Sequence, residues 1–262
     1  MKKISHGGNI YKKAKEMGIR EEDILDFSAN ISPLGLPEHI RRAMIEAIDG
    51  TINYPDPDCS RLKEAISKQD NVPESHITCG NGGADLLYRL AFGLHPKKVL
   101  LPAPAFVEYE EALSAAGAQM EYYLMRDDFV IKEDILEQIT EETDFVVICN
   151  PNNPTGILTE KELIFRVLER AKETNTFVMI DECFLEICQN ESEYTVKPFI
   201  EKYENLIILK SFTKLYAIPG VRLGYILAGS EDVIAKVNRT GQAWSVSHIA
   251  QCAGVAALSD NV

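Results

Sequence analysis

The sequence predicts an α/β fold around a mostly parallel sheet, and two features of its 262 residues predict it. From about residue 75 onward, short apolar runs alternate with amphipathic stretches. The runs also lack polar alternation, which is the mark of strands buried on both faces with helices as crossover connections.

Taken in order, the first fifty residues stand apart from this pattern. They contain one helix-like stretch, "PEHIRRAMIEAI" (37–48), with Pro37 at its first position, where a missing N–H is harmless. This part is expected to be an N-terminal arm or part of a second lobe. "NYPDPD" (53–58) is the most proline-dense turn. The predicted strands follow as "HITC", "KVLLP", "QMEYYLM", "DFVVICN", "TFVMID", "NLIILK" and "LGYILAG". Between them lie the helix-like segments "ADLLYRLAFGL", "FVEYEEALSAAG" and "TEKELIFRVLERAKET". The final stretch, "SHIAQCAGVAALSDNV", is helical in pattern.

Composition narrows the function. A 45% hydrophobic content in a chain of this length supports one large core with room for a smaller lobe. A formal net charge of −13 repels nucleic acid and anionic lipid, so an anionic ligand requires a local nest of donors. No nucleic-acid or membrane partner is expected. The six cysteines, Cys59, Cys79, Cys149, Cys183, Cys188 and Cys252, form no CxxC pair, and several lie in apolar runs such as "FVVIC". They read as reduced core residues of a cytoplasmic protein, and the polar N-terminus "MKKISHGGNIYKK" has no signal-like apolar core. The five histidines lack metal-ligand spacing, so no metal is expected.

Ligands of such sheets bind beyond the carboxyl ends of the strands. Four of those positions carry chemistry. "GNGGADLLYRL" leads glycines straight into a helix, which makes either a plain tight turn or a helix start where the N–H groups of Gly83 and Ala84 hold a phosphate. "NPNNPTG" (150–156) reads as a proline turn that also aims the Asn153 amide into the cleft, with an unusual Asn153–Pro154 peptide geometry. Ile180–Asp181–Glu182 ends a buried strand in acid, which demands a salt bridge or a protonated heterocycle nitrogen. In "LKSFTKLYAIPGVRLGYILAG" (209–229), Ser211, Thr213 and Arg222 offer two hydroxyls and a guanidinium to a phosphate. A cation close to Lys214 favours its nucleophilic amine form. An amine, a phosphate nest and a buried acid are the three handles that pyridoxal 5'-phosphate requires.

"NPNNPTG", "DE" at 181–182, "SFTK" and "GVRLGY" stand in an order and spacing that resemble the fold-type I pyridoxal-phosphate enzymes of the aminotransferase class I and II group. The resemblance implies a three-layer αβα large domain over residues 51–262, with residues 1–50 as arm and part of an incomplete small domain. It further implies that Lys214 carries the cofactor covalently, Asp181 pairs with its ring nitrogen, and Asn153 bonds the ring hydroxyl. Ser211, Thr213, Arg222 and the Gly83 and Ala84 amides would hold its phosphate, and Phe106 would stack on the ring. Members of the group continue into a further small domain whose arginines grip the substrate, and Val262 precedes any such segment.

Two subgroups match more narrowly. "NYPDPDCSRLKEAI" resembles histidinol-phosphate aminotransferases, in which the tyrosine matching Tyr54 reaches the neighbouring subunit's cofactor phosphate, implying a homodimer. "HGGN" (6–9) and "DFSANISPLGLP" (26–37) resemble the threonine-phosphate decarboxylases of cobalamin synthesis, in which the positions matching His6, Gly7, Asn30 and Asn153 contact the phosphorylated amino acid. Phe184 stands where aminotransferases commonly have tyrosine, and Phe106 where histidinol-phosphate enzymes commonly have it, which favours the second match. The expected activity is therefore a lyase acting on threonine phosphate, with amino transfer to or from histidinol phosphate as alternative and a non-catalytic cofactor-binding module as a further one.

Overall fold

A computed structural model describes residues 7–259. Its helices are α1 (Ile10–Met17), α2 (Glu38–Glu46), α3 (Ser60–Asp70), α4 (Gly83–Leu94), α5 (Val107–Ala115), α6 (Ile135–Gln138), α7 (Lys161–Glu173), α8 (Glu191–Tyr194), α9 (Glu231–Arg239) and α10 (His248–Ala257). All seven apolar runs are strands: β1 (Ile77–Gly80), β2 (Lys98–Ala103), β3 (Gln119–Leu124), β4 (Phe145–Cys149), β5 (Phe177–Asp181), β6 (Leu206–Ser211) and β7 (Gly224–Ala228). They form one sheet in the order β1-β7-β6-β5-β4-β2-β3.

The sheet is mostly parallel, as expected, with one reversal. β7 runs antiparallel to both β1 and β6. A parallel return from β6 needs a crossover helix, and the link Phe212–Leu223 contains only the short 3-10 turn Pro219–Val221. The chain therefore turns back beside β6. This reversal carries Arg222 to the carboxyl end of β6.

Two cores fill the faces of the sheet, giving three layers. On one face Leu86 and Leu90 of α4, Ala112 of α5 and Val233 of α9 cover Val99, Val147, Leu209 and Ile226. On the other, Leu62 of α3, Val167 of α7 and Ala250 of α10 cover Val146, Ile180 and Ile208. Apart from the half-buried Phe177 at the start of β5, strands β4 to β7 are buried along their length, which is why their sequences show no alternation. β3 departs from that reading. It is an edge strand, and Tyr122 and Leu124 are exposed.

The N-terminal part is tied to the end of the chain. α2 packs against α10, and Ile40 joins the core on that face. Pro37 stands one place earlier than predicted: it is the extended residue before α2, and its carbonyl accepts the Arg41 N–H at 3.0 Å. Among the described residues, no helix is long and apolar enough to cross a membrane.

Candidate active site

The anion end of the site begins where β1 becomes α4. Asp85, in the first turn of α4, reaches back to accept the Asn81 N–H at 2.9 Å, which fixes the turn. Gly82 then adopts φ 87° and ψ 168°, a conformation open essentially to glycine alone. The first bond back to this turn is Leu86 N–H to the Gly82 carbonyl at 3.3 Å, so the N–H groups of Gly83 and Ala84 are the free amides of a helix start. A Cβ on Gly82 would stand 2.5 Å from Arg222 Nη2, so the guanidinium lies directly against bare backbone. The Ser211 and Thr213 hydroxyls, 2.7 Å apart, complete this end, and Arg222 Nη1 is steadied by the Pro219 carbonyl at 3.0 Å.

At the other end, Asp181 closes β5 and is 6% exposed. Its Oδ1 accepts the Cys183 N–H at 2.9 Å, and its Oδ2 accepts the Tyr109 hydroxyl at 2.5 Å. Burial and the Asp181 charge push the Tyr109 hydroxyl far above its ordinary pKa, so it remains a donor. Burial first, and that charge second, likewise raise the thiols of Cys149 and Cys183 and keep them neutral.

The two acids predicted at the end of this strand part company. Glu182 points to the opposite face, wholly buried, with Thr195 Oγ1 at 2.8 Å, the Val196 N–H at 2.9 Å and Lys210 Nζ at 3.9 Å. Burial raises its pKa, while Lys210 works against that shift. Glu182 thus takes the structural salt bridge, and Asp181 alone is left to face the cavity. The alternation of side chains along one strand makes the division.

Between the two ends, the 150–156 turn is pinned by its other asparagines. Asn150 exchanges bonds with Thr159, its Oδ1 accepting the Thr159 N–H at 2.8 Å, and Asn152 Nδ2 donates to the Pro104 carbonyl at 3.1 Å. Asn153 is left lining the cavity, and the Asn153–Pro154 peptide is cis. Phe184 lies across the lysine, its ring centroid 5.2 Å from Lys214 Nζ.

One cavity therefore collects Gly83, Ala84, Phe106, Asn153, Asp181, Ser211, Thr213, Lys214 and Arg222. A second cavity adjoins it, sharing Asn153 and Phe184 and lined on its far side by Asn30 and Ser32. The segment bearing Asn30 is fastened to the lysine itself, because Ser32 N–H donates to the Lys214 carbonyl at 3.1 Å. Gly7 lines neither cavity; a Cβ there would meet the Ser28 carbonyl, so it packs two residues from Asn30. His6 lies outside the described residues. Tyr54 is 80% exposed and lines neither cavity, stacking instead on Trp244 with ring centroids 4.6 Å apart.

The donor set fits pyridoxal phosphate. Two hydroxyls, a guanidinium, a helix start and a glycine whose Cβ would block the guanidinium stand at one end, an acid at the other, and a lysine and an aromatic plate between. Sequence reasoning missed Tyr109 and Gly224. Tyr109 lies in the first turn of α5, three residues after Phe106, the extended residue that precedes the helix, and the two rings meet edge to face. Gly224 lets β7 approach the phosphate turn, since a Cβ would stand 3.1 Å from the Gly83 nitrogen.

Comparison with known proteins supports the same placement. The family model described as aminotransferase class I and II matches residues 22–262. The chain is 37% identical to a threonine-phosphate decarboxylase of Salmonella typhimurium over 98% of this chain and 71% of the relative. It is 34% identical to histidinol-phosphate aminotransferase 2 of Ralstonia nicotianae, over 97% of this chain and 68% of that one. Among solved structures, the histidinol-phosphate aminotransferase of Clostridium acetobutylicum superposes with a TM-score of 0.84 at 30% identity, covering 90% of this chain and 70% of that chain. With the motifs, the sheet and this cavity in agreement, the chain belongs to the aminotransferase class I and II family of pyridoxal phosphate enzymes.

Proposed function

We propose that the protein decarboxylates L-threonine O-3-phosphate to (R)-1-amino-2-propanol O-2-phosphate, a step of cobalamin biosynthesis. The observation that carries this reading is the second cavity, which places Asn30 beside the cofactor cavity and fastens its segment to Lys214. The first-reported relative, a threonine-phosphate decarboxylase, supports it.

Pyridoxal phosphate, when bound, supplies an electron sink for the pair left at the substrate's α-carbon. The chain's residues then have distinct tasks. Ser211, Thr213, Arg222 and the amides of Gly83 and Ala84 hold the cofactor phosphate. Lys214 Nζ holds the cofactor and later delivers a proton to the α-carbon. Asp181 keeps the ring nitrogen protonated, Asn153 bonds the ring hydroxyl, and Phe106 covers the ring.

Asn30, which lines the second cavity, binds the substrate phosphate. A grip on the phosphate of the β-carbon would orient the substrate as a whole and so favour loss of the carboxylate over loss of the α-hydrogen. Phe184 puts an apolar ring beside the lysine where a tyrosine would add a hydroxyl donor. The carbon–carboxylate bond breaks, carbon dioxide leaves, and the α-carbon gains a proton in its place.

Amino transfer with histidinol phosphate is the second reading, favoured by the Ralstonia relative and the Clostridium structure. It needs Lys214 to move the α-hydrogen instead. The test supplies cofactor-loaded protein with threonine phosphate in one vessel and histidinol phosphate plus 2-oxoglutarate in another. Carbon dioxide and an amine product are expected from the first, with little keto-acid turnover in the second, and Asn30→Ala should lower the yield more than it weakens cofactor binding. Efficient turnover of the second pair with threonine phosphate left intact would replace the decarboxylase reading. Borohydride reduction and peptide mapping should tag Lys214; a tag on another lysine would remove its role.

The same reading makes the protein a homodimer in which Tyr54 completes the neighbour's phosphate site.

A further inference from the structure

We propose that Tyr109 is a positioning residue that holds the Asp181 carboxylate aimed at the ring-nitrogen end of the cavity. The inference rests on the family's cofactor and is independent of which bond the enzyme breaks.

Three observations combine. The Asp181 carboxylate has two hydrogen bonds, one to each oxygen, and neither comes from a cation: the Cys183 N–H serves Oδ1 and the Tyr109 hydroxyl serves Oδ2. Tyr109 is 1% exposed and packs against Phe106, with ring centroids 5.6 Å apart, and its hydroxyl lies between the Asp181 carboxylate and the Cys149 thiol. The cavity also holds the thiols of Cys149 and Cys183, both kept neutral by burial and by the same charge, and the cations Lys214 and Arg222, neither of which is hydrogen-bonded to the carboxylate.

A buried carboxylate without a cation is costly, and hydrogen bonds to its charged form are what sustain it. Each oxygen retains a lone pair, so the carboxylate keeps its full charge for a cationic N–H. The backbone bond from Cys183 comes with the fold. The side-chain bond from Tyr109 is the adjustable one, and it spans 72 positions of sequence between α5 and β5.

Without this hydroxyl the carboxylate would be held by the Cys183 N–H alone and would face the ring nitrogen of a bound cofactor less firmly, so that nitrogen would keep its proton less readily. The pocket would keep its shape, because phenylalanine fills the space of tyrosine.

The experiment loads wild-type and Tyr109→Phe protein with pyridoxal phosphate labelled with nitrogen-15 in the ring. Ring-nitrogen chemical shift and cofactor dissociation constant are then measured. In Tyr109→Phe the shift should move towards the unprotonated ring, and the dissociation constant should rise roughly tenfold or more, as for loss of a bond to a charged group. In an Asp181→Asn background the same substitution should change neither quantity further, which separates an action through Asp181 from general loosening. A fluorinated, more acidic tyrosine at position 109 should move the shift the opposite way, and this arm stands even if Tyr109→Phe fails to fold. An unchanged shift and affinity in Tyr109→Phe, or an equal effect in the Asp181→Asn background, would overturn the role. Wild-type protein that binds no cofactor would defeat the cofactor reading itself, and this inference with it.

Discussion

Gly82 shows how a single residue serves two needs at once. Its φ of 87° and ψ of 168° disfavour a side chain on backbone grounds, and a Cβ there would push the Arg222 guanidinium aside. Gly82→Ala is expected to cost about 1–3 kcal/mol in urea unfolding of the cofactor-free protein, the usual cost of holding a non-glycine residue there. It should also weaken cofactor phosphate binding by displacing Arg222. Equal stability and equal affinity in the two proteins would show that the turn relaxes freely. At this scale the sequence was legible wherever a residue's chemistry is unusual for its place, as with Asp181 at the end of a buried strand or Lys214 directly after the hydroxyls of Ser211 and Thr213. Tyr109 was not legible as a site residue, because a tyrosine in an amphipathic helix is ordinary until the fold shows what its hydroxyl meets.

Among the elements, α3 shows how the proline-rich turn does its work. Asp56 Oδ2 accepts the Ser60 N–H at 2.7 Å and Oδ1 accepts the Asp58 N–H at 3.0 Å, so the turn caps the helix that follows. The Ser60 N–H, above all, holds the Asp56 carboxyl below its ordinary pKa. A lowered pKa in the folded state means that the unfolded chain binds the proton more readily. The stabilisation is therefore present above the unfolded value near 4 and is lost as pH falls through the lower, folded value. Asp56→Ala should cost about 1 kcal/mol at neutral pH, and the difference from wild type should shrink towards pH 3 in denaturant unfolding. A difference that holds constant across that range would point to packing instead. The strands were legible as elements because burial on both faces writes itself into composition. The direction of β7 was not, since a twelve-residue link is long enough for either return and only its lack of a helix decides.

At the scale of the whole molecule, the three layers and the placing of the site at the carboxyl ends of the strands follow from sequence alone, whereas the order of the strands does not. The order depends on which helices cross which face, a long-range choice that no local run records. The exposed ring of Tyr54, stacked on Trp244, belongs to this scale as well. Trp244 is the protein's single tryptophan. Its fluorescence is therefore an unlabelled optical gauge of the surroundings of Tyr54, at a surface where the proposed second subunit would arrive. Diluting the protein through its dimer dissociation range should shift the emission to longer wavelength as water reaches the half-exposed indole, in step with sedimentation. Emission that stays fixed while sedimentation records two halves parting would place the Tyr54–Trp244 stack outside the interface, and Tyr54 would then have no neighbour's phosphate to reach.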